Sequence, residues 1–312
     1  MKKRIVIGVA VLLAVAAAGG AAFFGLAWLR YDDHNLPGAY FDSGGVRIHY
    51  AEKGSGTPVV LVHGLGVNLG MNWVRSGIFD GLAKDHRVVA LDLRGHGLSG
   101  KPHDPALYGV TLVEDIVRLM DHLGIDRAHV VGYSMGGFIA LKMAETRPGR
   151  LLSVAPCGSG WSSDPGKDLA FLKMLADRLD HGGGFESLLE RLQPVGRPVG
   201  RGKILMVSAM MTMANDRRAV SAMLRSTDAL LVGADTLKNN KTPALCIAGE
   251  RDPLKPLADQ MCAATANMRQ VVVPGADHFS TLSKPDFLRE LAAFLTEIDE
   301  KEHPQPKTGE PK

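Results

Sequence analysis

Cysteine is scarce in this 312-residue chain: Cys157, Cys246 and Cys262 stand far apart, with no Cys-x-x-Cys pair. That pattern argues against a zinc site or a disulfide scaffold, and no metal or other cofactor is implied. A charge excess is missing too. Lys and Arg number 36 against 33 Asp and Glu, a net charge of +3, so no clustered basic surface is expected to draw nucleic acid. No internal repeat is evident. What is present is ordinary for a folded protein: 46% hydrophobic and 22% charged residues, a balance that excludes disorder as the dominant state. The mean hydropathy of +0.03 is slightly high, and its excess sits in one place.

That place is the amino terminus. Lys2, Lys3 and Arg4 precede an uncharged run from Ile5 to Leu29, and Arg30, Asp32 and Asp33 follow it. As a helix the run would rise about 37 Å, enough to cross a hydrocarbon core of about 30 Å with tilt. Trp28 and Tyr31 fall where interfacial aromatics are expected. Residues 1–30 therefore read as a membrane anchor in contact with lipid. The basic leader would stay in the cytoplasm and the following domain would lie on the outer side. A cleaved signal peptide is the competing reading, because Ala14-Val15-Ala16 and Ala16-Ala17-Ala18 resemble cleavage sites, followed by secretion. The run exceeds the roughly 7–15 residues of a signal core, which favours retention.

Residues 31–40 read as a linker. A hairpin is expected from Ala39–Asp42 and Val46–Ala51 around Ser43-Gly44-Gly45. Short continuous apolar runs follow at 58–62, 87–91, 128–132, 151–155, 244–248 and 270–273, with helical patterns at about 111–123, 135–146 and 285–299. This alternation predicts an α/β protein with a mostly parallel, doubly wound sheet covered on both faces. The alternation stops from 158 to 238, which reads as an inserted helical cap between core segments 31–157 and 239–300. Met206, Met210 and Met213 recur there at helical spacing, with Met211 and Met223 nearby. Such a stripe reads first as core packing and second as a lid lining for an apolar substrate. The tail, 301–312, has three prolines and no large apolar residue, so disorder is expected.

The chemistry is carried by Gly132-Tyr133-Ser134-Met135-Gly136, set between a strand and a helix. A serine hydroxyl is a weak nucleophile and must project where a base can reach it; a sharp turn flanked by glycines does this. An acid and then a histidine should follow in the chain. Asp252, in Gly249-Glu250-Arg251-Asp252, and His278, in Gly275-Ala276-Asp277-His278, end successive strands at the sheet edge that would hold Ser134. Asp164 is the rival acid, and Asp277 is too near His278 in sequence. His63-Gly64-Leu65-Gly66 follows the first parallel strand, so the Leu65 and Met135 amides are the candidate oxyanion donors, with His63 structural. Asp92-Leu93-Arg94-Gly95-His96-Gly97-Leu98-Ser99 reads as a structural loop in which Asp92 and Arg94 satisfy each other and nearby backbone.

From about residue 39 to 295, these motifs together resemble the α/β-hydrolase superfamily, in the branch of lipases, carboxylesterases and meta-cleavage C–C hydrolases. The apolar start is similar to that of membrane-anchored monoacylglycerol lipases and bacterial esterases. The resemblance implies a serine hydrolase acting on a small-molecule ester, with Ser134, His278 and Asp252 as its triad. It speaks against dehalogenase and epoxide-hydrolase chemistry, whose nucleophile is an aspartate where Ser134 stands. A C–C bond hydrolase with the same triad is the alternative enzyme. A non-catalytic binding member of the fold is the alternative of another class.

Overall fold

The structure is a computed structural model that describes residues 38–302. The anchor expected over residues 1–30 and the tail beyond Glu302 lie outside the described residues. Among the described residues no helix is long and apolar enough to cross a membrane.

The chain enters as a hairpin, β1 (Ala39–Asp42) and β2 (Arg47–Lys53), then β3 (Pro58–Val62), α1 (Ile78–Leu82) and β4 (Arg87–Leu91). Next come α2 (Thr111–His122), β5 (Ala128–Tyr133), α3 (Met135–Thr146) and β6 (Leu151–Cys157). Six further elements intervene before β7 (Ala244–Gly249): α4 (Gly166–Asp180), α5 (Glu186–Arg191), α6 (Arg201–Ala214), α7 (Arg217–Arg225), a 3-10 turn Thr227–Leu230 and α8 (Ala234–Asn239). The chain closes with α9 (Lys255–Ala264), β8 (Met268–Val273) and α10 (Pro285–Glu302). Lys301 and Glu302, expected in the tail, continue α10, where Lys301 pairs with Glu297 one turn earlier at 2.7 Å.

The eight strands form one sheet in the order β1-β2-β4-β3-β5-β6-β7-β8. Pairing is antiparallel for β1 with β2 and β2 with β4, and parallel from β4 onward. Strands β5, β6 and β7 are buried along their whole length, as continuous apolar runs between helical layers must be. The last strand departs from that expectation. β8 is the sheet edge, and Val272 on it is 39% exposed. Helices α2 and α3 pack together, α3 against β3, β5 and β6, while α10 packs against α1, β6, β7 and β8.

Two features of this topology position the site. Strand order reverses between β3 and β5, because the chain runs from β3 outward to β4 and then returns to β5 on the other side. Open α/β sheets hold their ligands at the carboxyl ends of such a pair. Second, the helical insertion leaves from β6 and returns into β7, and these are neighbours. The Val154 amide donates to the Pro243 carbonyl at 3.0 Å and the Gly158 amide to the Ile247 carbonyl at 2.9 Å, which clips the two strands side by side.

Within the insertion, α4 and α7 form one apolar seam. It buries Leu175, Ala176 and Leu179 with Ala219, Val220 and Met223. α6 packs on α5 through Ile204, Ser208 and Met211. The methionine stripe is a correction to the core-packing expectation. Met206 and Met210 are half-buried and Met213 is 53% exposed. The buried methionine of α6 is Met211, on the opposite side of the helix, and Met223 is buried in the seam on α7. A helix with apolar residues on every side has no single apolar stripe to fix its rotation, and here the packed side is the one with Ser208, whose hydroxyl accepts from the Phe185 amide and donates to Glu186.

Candidate active site

Ser134 stands between the last residue of β5 and the first of α3. Its φ of 54° and ψ of −117° make it the one non-glycine residue with positive φ among the described residues. Close packing imposes that conformation. A Cβ on Gly132 would run into the Gly136 carbonyl, and one on Gly136 into the Val62 carbonyl. Both glycines are therefore required for the strand and helix to approach around the serine. The Ser134 amide donates to the Cys157 carbonyl at the end of β6, at 2.9 Å. The twelve residues of α3 direct the helix's positive end at the turn.

The structure brings His278 and Asp252 to this serine. His278 Nε2 lies 3.0 Å from Ser134 Oγ, and His278 Nδ1 lies 2.8 Å from Asp252 Oδ2. Asp252 is 1% exposed and His278 4%, whereas the serine is half-buried. An ionised carboxylate only accepts, so the proton on the imidazole sits at Nδ1 and Nε2 is left to accept from the serine hydroxyl. The second carboxylate oxygen accepts from the Leu254 amide at 2.8 Å. The rival acids are elsewhere occupied: Asp164 is exposed and caps the Gly166 amide, and Asp277 accepts from the Phe279 and Ser280 amides of its own turn.

Facing the serine is the loop after β3. A Cβ on Gly64 would sit 3.2 Å from the Ser134 Cβ, so the loop lies directly against the nucleophile. Among the described residues neither the Leu65 amide nor the Met135 amide donates a hydrogen bond within the chain. Two donors left uncommitted beside a serine can receive an anionic oxygen. The neighbouring Gly64 amide is committed, to Asn72 Oδ1 at 2.8 Å.

Behind this loop lies a network of buried polar groups. Asp92 Oδ1 accepts from the Leu69 amide at 2.9 Å, and Oδ2 from the Leu98 amide at 2.8 Å and from His49 Nδ1 at 2.9 Å. Burial alone would raise the Asp92 carboxyl, but the His49 hydrogen bond, the His63 imidazole and the two amides outweigh it and hold it below the ordinary carboxylate value. His63 Nε2 accepts from the Leu93 amide at 3.0 Å, and Nδ1 donates to the Gly64 carbonyl at 2.7 Å, which ties the loop after β3 to the loop after β4. Full burial pushes the proton affinity of His63 down, and that of His96 down to about 3.

The expected Asp92–Arg94 pairing is not found. Asp92 is saturated by amides and His49, and the planar guanidinium of Arg94 instead forms a two-pronged pair with Asp115 of α2, both bonds at 2.6 Å. Three contributors had no local sequence signal. Asn72 holds Gly64. The Tyr133 hydroxyl donates to the His278 carbonyl at 2.5 Å, its ring 5.4 Å from the imidazole. From α6, Asn215 Nδ2 donates to the Gly66 carbonyl at 3.0 Å, while Met211 packs on Gly66. The Cys157 thiol, beside the serine in the sheet, is pushed up to about 12 by burial and carries no thiolate character. Among the described residues no set of three His, Cys, Asp or Glu side chains is grouped to hold a metal ion.

Residues 57–185 match the family described as the alpha/beta hydrolase fold. The chain is similar to the dihydrolipoyllysine-residue acetyltransferase component of the acetoin cleaving system of Cupriavidus necator, 42% identical over 45% of this chain and 37% of the relative. It therefore spans little more than a third of that relative's length. It is also similar to haloalkane dehalogenase 2 of Mycobacterium bovis, 28% identical over 83% of this chain and 93% of that one. Among solved structures, a thermophilic esterase from Thermogutta terrifontis superposes with a TM-score of 0.70 at 23% identity, covering 84% of this chain and 99% of that one. Over residues 57–185 the chain matches the α/β hydrolase family, and the sheet order and the superposition agree with it on the α/β hydrolase fold.

Proposed function

We propose that the protein is a membrane-anchored serine esterase that cleaves carboxylic esters through an acyl-enzyme. The observation that carries this reading is the unbroken Ser134–His278–Asp252 chain, 3.0 and 2.8 Å long, at the carboxyl edge of the sheet. His278 Nε2 takes the hydroxyl proton as Ser134 Oγ attacks the carbonyl carbon, and Asp252 stabilises the imidazolium that forms. The Leu65 and Met135 amides hold the tetrahedral oxygen. Collapse expels the alcohol with the proton from His278, and water repeats the sequence to release the acid. The reaction needs no cofactor.

An apolar acyl group is the proposed substrate feature. Met211 and Phe185 of the cap come against Gly66, next to the oxyanion donors, and such side chains favour hydrocarbon over charge. The apolar run Ile5–Leu29 supports retention at a membrane with the catalytic domain on the outer side.

Ser134→Ala is expected to abolish turnover of nitrophenyl esters, by about 10⁵-fold or more, and to remove covalent labelling by a fluorophosphonate. Undiminished turnover in that variant would sink the mechanism. A meta-cleavage substrate, followed by loss of its dienol absorbance, separates C–C hydrolysis by the same triad from ester hydrolysis.

A further inference from the structure

α6 has two apolar sides, and only one is fully buried. At 100° per residue the buried Ile204, Ser208 and Met211 occupy an arc of about 60°. The opposite arc, about 140° wide, carries Leu205, Ala209, Gly202, Met213, Met206 and Met210 in angular order, without one polar side chain. Leu205 is 47% exposed and Met213 53%, and Val195 in the preceding segment is 61% exposed. A helix with apolar residues on two opposite sides needs an apolar surrounding for each. The described residues supply the second surrounding only in part: Met206, Ala209 and Met210 are half-buried, and Gly202, Leu205 and Met213 stand open.

Charge indicates what supplies it. From Pro194 to Asn215 there is no Asp or Glu, while Arg197, Arg201 and Lys203 are all exposed. None of the three has an acidic partner among the described residues, although most other arginines of the cap do. Arg201 and Lys203 sit at the two angular edges of the apolar arc, in the first turn of α6. An apolar face rimmed by cations is the arrangement of an interfacial helix on an anionic membrane. Moreover, only eight residues, Arg30–Pro37, separate the apolar run Ile5–Leu29 from the first described residue, and eight residues reach at most about 28 Å.

We infer that the outer face of α6 is a membrane-docking surface: Leu205, Met206, Met210 and Met213 enter the acyl boundary of a bilayer, and Arg197, Arg201 and Lys203 meet anionic headgroups. The inference extends the anchor reading and is independent of which bond is cleaved. It also gives α6 two contacts of different kinds, bilayer on one side and the oxyanion loop, through Met211 and Asn215, on the other.

The test uses the full chain reconstituted into phosphatidylcholine–phosphatidylglycerol vesicles with brominated acyl chains. Met213→Trp adds an indole at an already exposed position. Its emission, taken as the difference from the wild-type protein, is expected to be blue-shifted and at least twofold quenched by bromine. Adding Leu205→Asp, or omitting the anionic lipid, should reduce that quenching severalfold. Emission at the wavelength of a hydrated indole with no quenching overturns the inference. So does a blue shift without quenching accompanied by a doubled particle mass, which means a second copy covers the face. The wild-type signal tests the anchor separately, because Trp28 is quenched only if the amino-terminal run enters the bilayer.

Discussion

Asp92 and Met210 belong to two regions built by different means. Around Asp92, the loops after β3 and β4 are joined by buried hydrogen bonds to His49, His63, Leu69 and Leu98, and Arg94 with Asp115 completes a dry ion pair. Around Met210, the insertion is held by the α4–α7 seam and by ion pairs such as Arg225–Asp177 and Arg178–Glu186 that remain open to solvent. Buried polar contacts admit one geometry, because any displacement leaves a desolvated group unpaired. Methionines and surface ion pairs admit many. The region that would align the proposed nucleophile, base and two amides is the over-determined one. The region that would meet the apolar part of the proposed substrate is adaptable.

The contrast can be broken most forcefully at Asp115. Replacing Asp115 with Ala strands the Arg94 guanidinium, 1% exposed, and is expected to cost about 3–5 kcal/mol of stability, read from the urea midpoint. A loss under about 1 kcal/mol would mean that the ring of loops is as forgiving as the cap.

Acid tests the same ring through protons. His63 and His96 bind a proton more weakly folded than unfolded, so the unfolded chain takes up protons that the native one refuses as pH falls below about 6.5. Stability is thus complete above that pH and is lost on acidification, for His96 down to about 3; the Asp92 contribution persists until pH falls below the ordinary carboxylate value of about 3.9. Each such histidine adds about 1.4 kcal/mol per pH unit to the slope. His96→Phe should flatten the dependence between pH 6.5 and 4.5 by about one proton; an unchanged slope in urea titrations would remove His96 from the account.

The smallest effect sharpens the comparison by probing where the two regions touch. Asn215→Ala removes the cap's hydrogen bond to the Gly66 carbonyl and should cost about 1 kcal/mol of stability. If that contact steadies the oxyanion loop, kcat for a short ester falls about fivefold while KM is nearly unchanged. A KM effect alone would assign Asn215 to substrate contact.

Much of this arrangement could be read from residue order. Gly132 and Gly136 flank Ser134 for a steric reason that operates within five residues, and Asp252 and His278 follow strands whose apolar runs are continuous. The strand ends themselves extend one or two residues further than the apolar runs, as at Pro156–Cys157 and Met268–Arg269, because pairing with a neighbour overrides local composition. What escaped is non-local. Asn215 acts through its amide on Gly66, 149 residues earlier, and Asn72 acts on Gly64, eight residues earlier in the same β3–α1 connection; nothing in their own surroundings marks either. Arg94 has Asp92 two residues away and Asp115 on a helix face, and only the packing of α2 decides between them. For α6 the difficulty is different: with apolar residues on every side, periodicity carries no phase, so the sequence could not tell which methionines face inward.

The clip between β6 and β7 has a consequence for how this molecule can change over time. Since the insertion departs and returns through hydrogen-bonded neighbours, its ends are held together by the sheet whatever lies between them. Doubling the length of such an excursion costs only about 0.6 kcal/mol in closure entropy. The segment therefore behaves as an exchangeable cassette: descendants could trade one cap for another and inherit the same reacting atoms, altering diet without relearning chemistry.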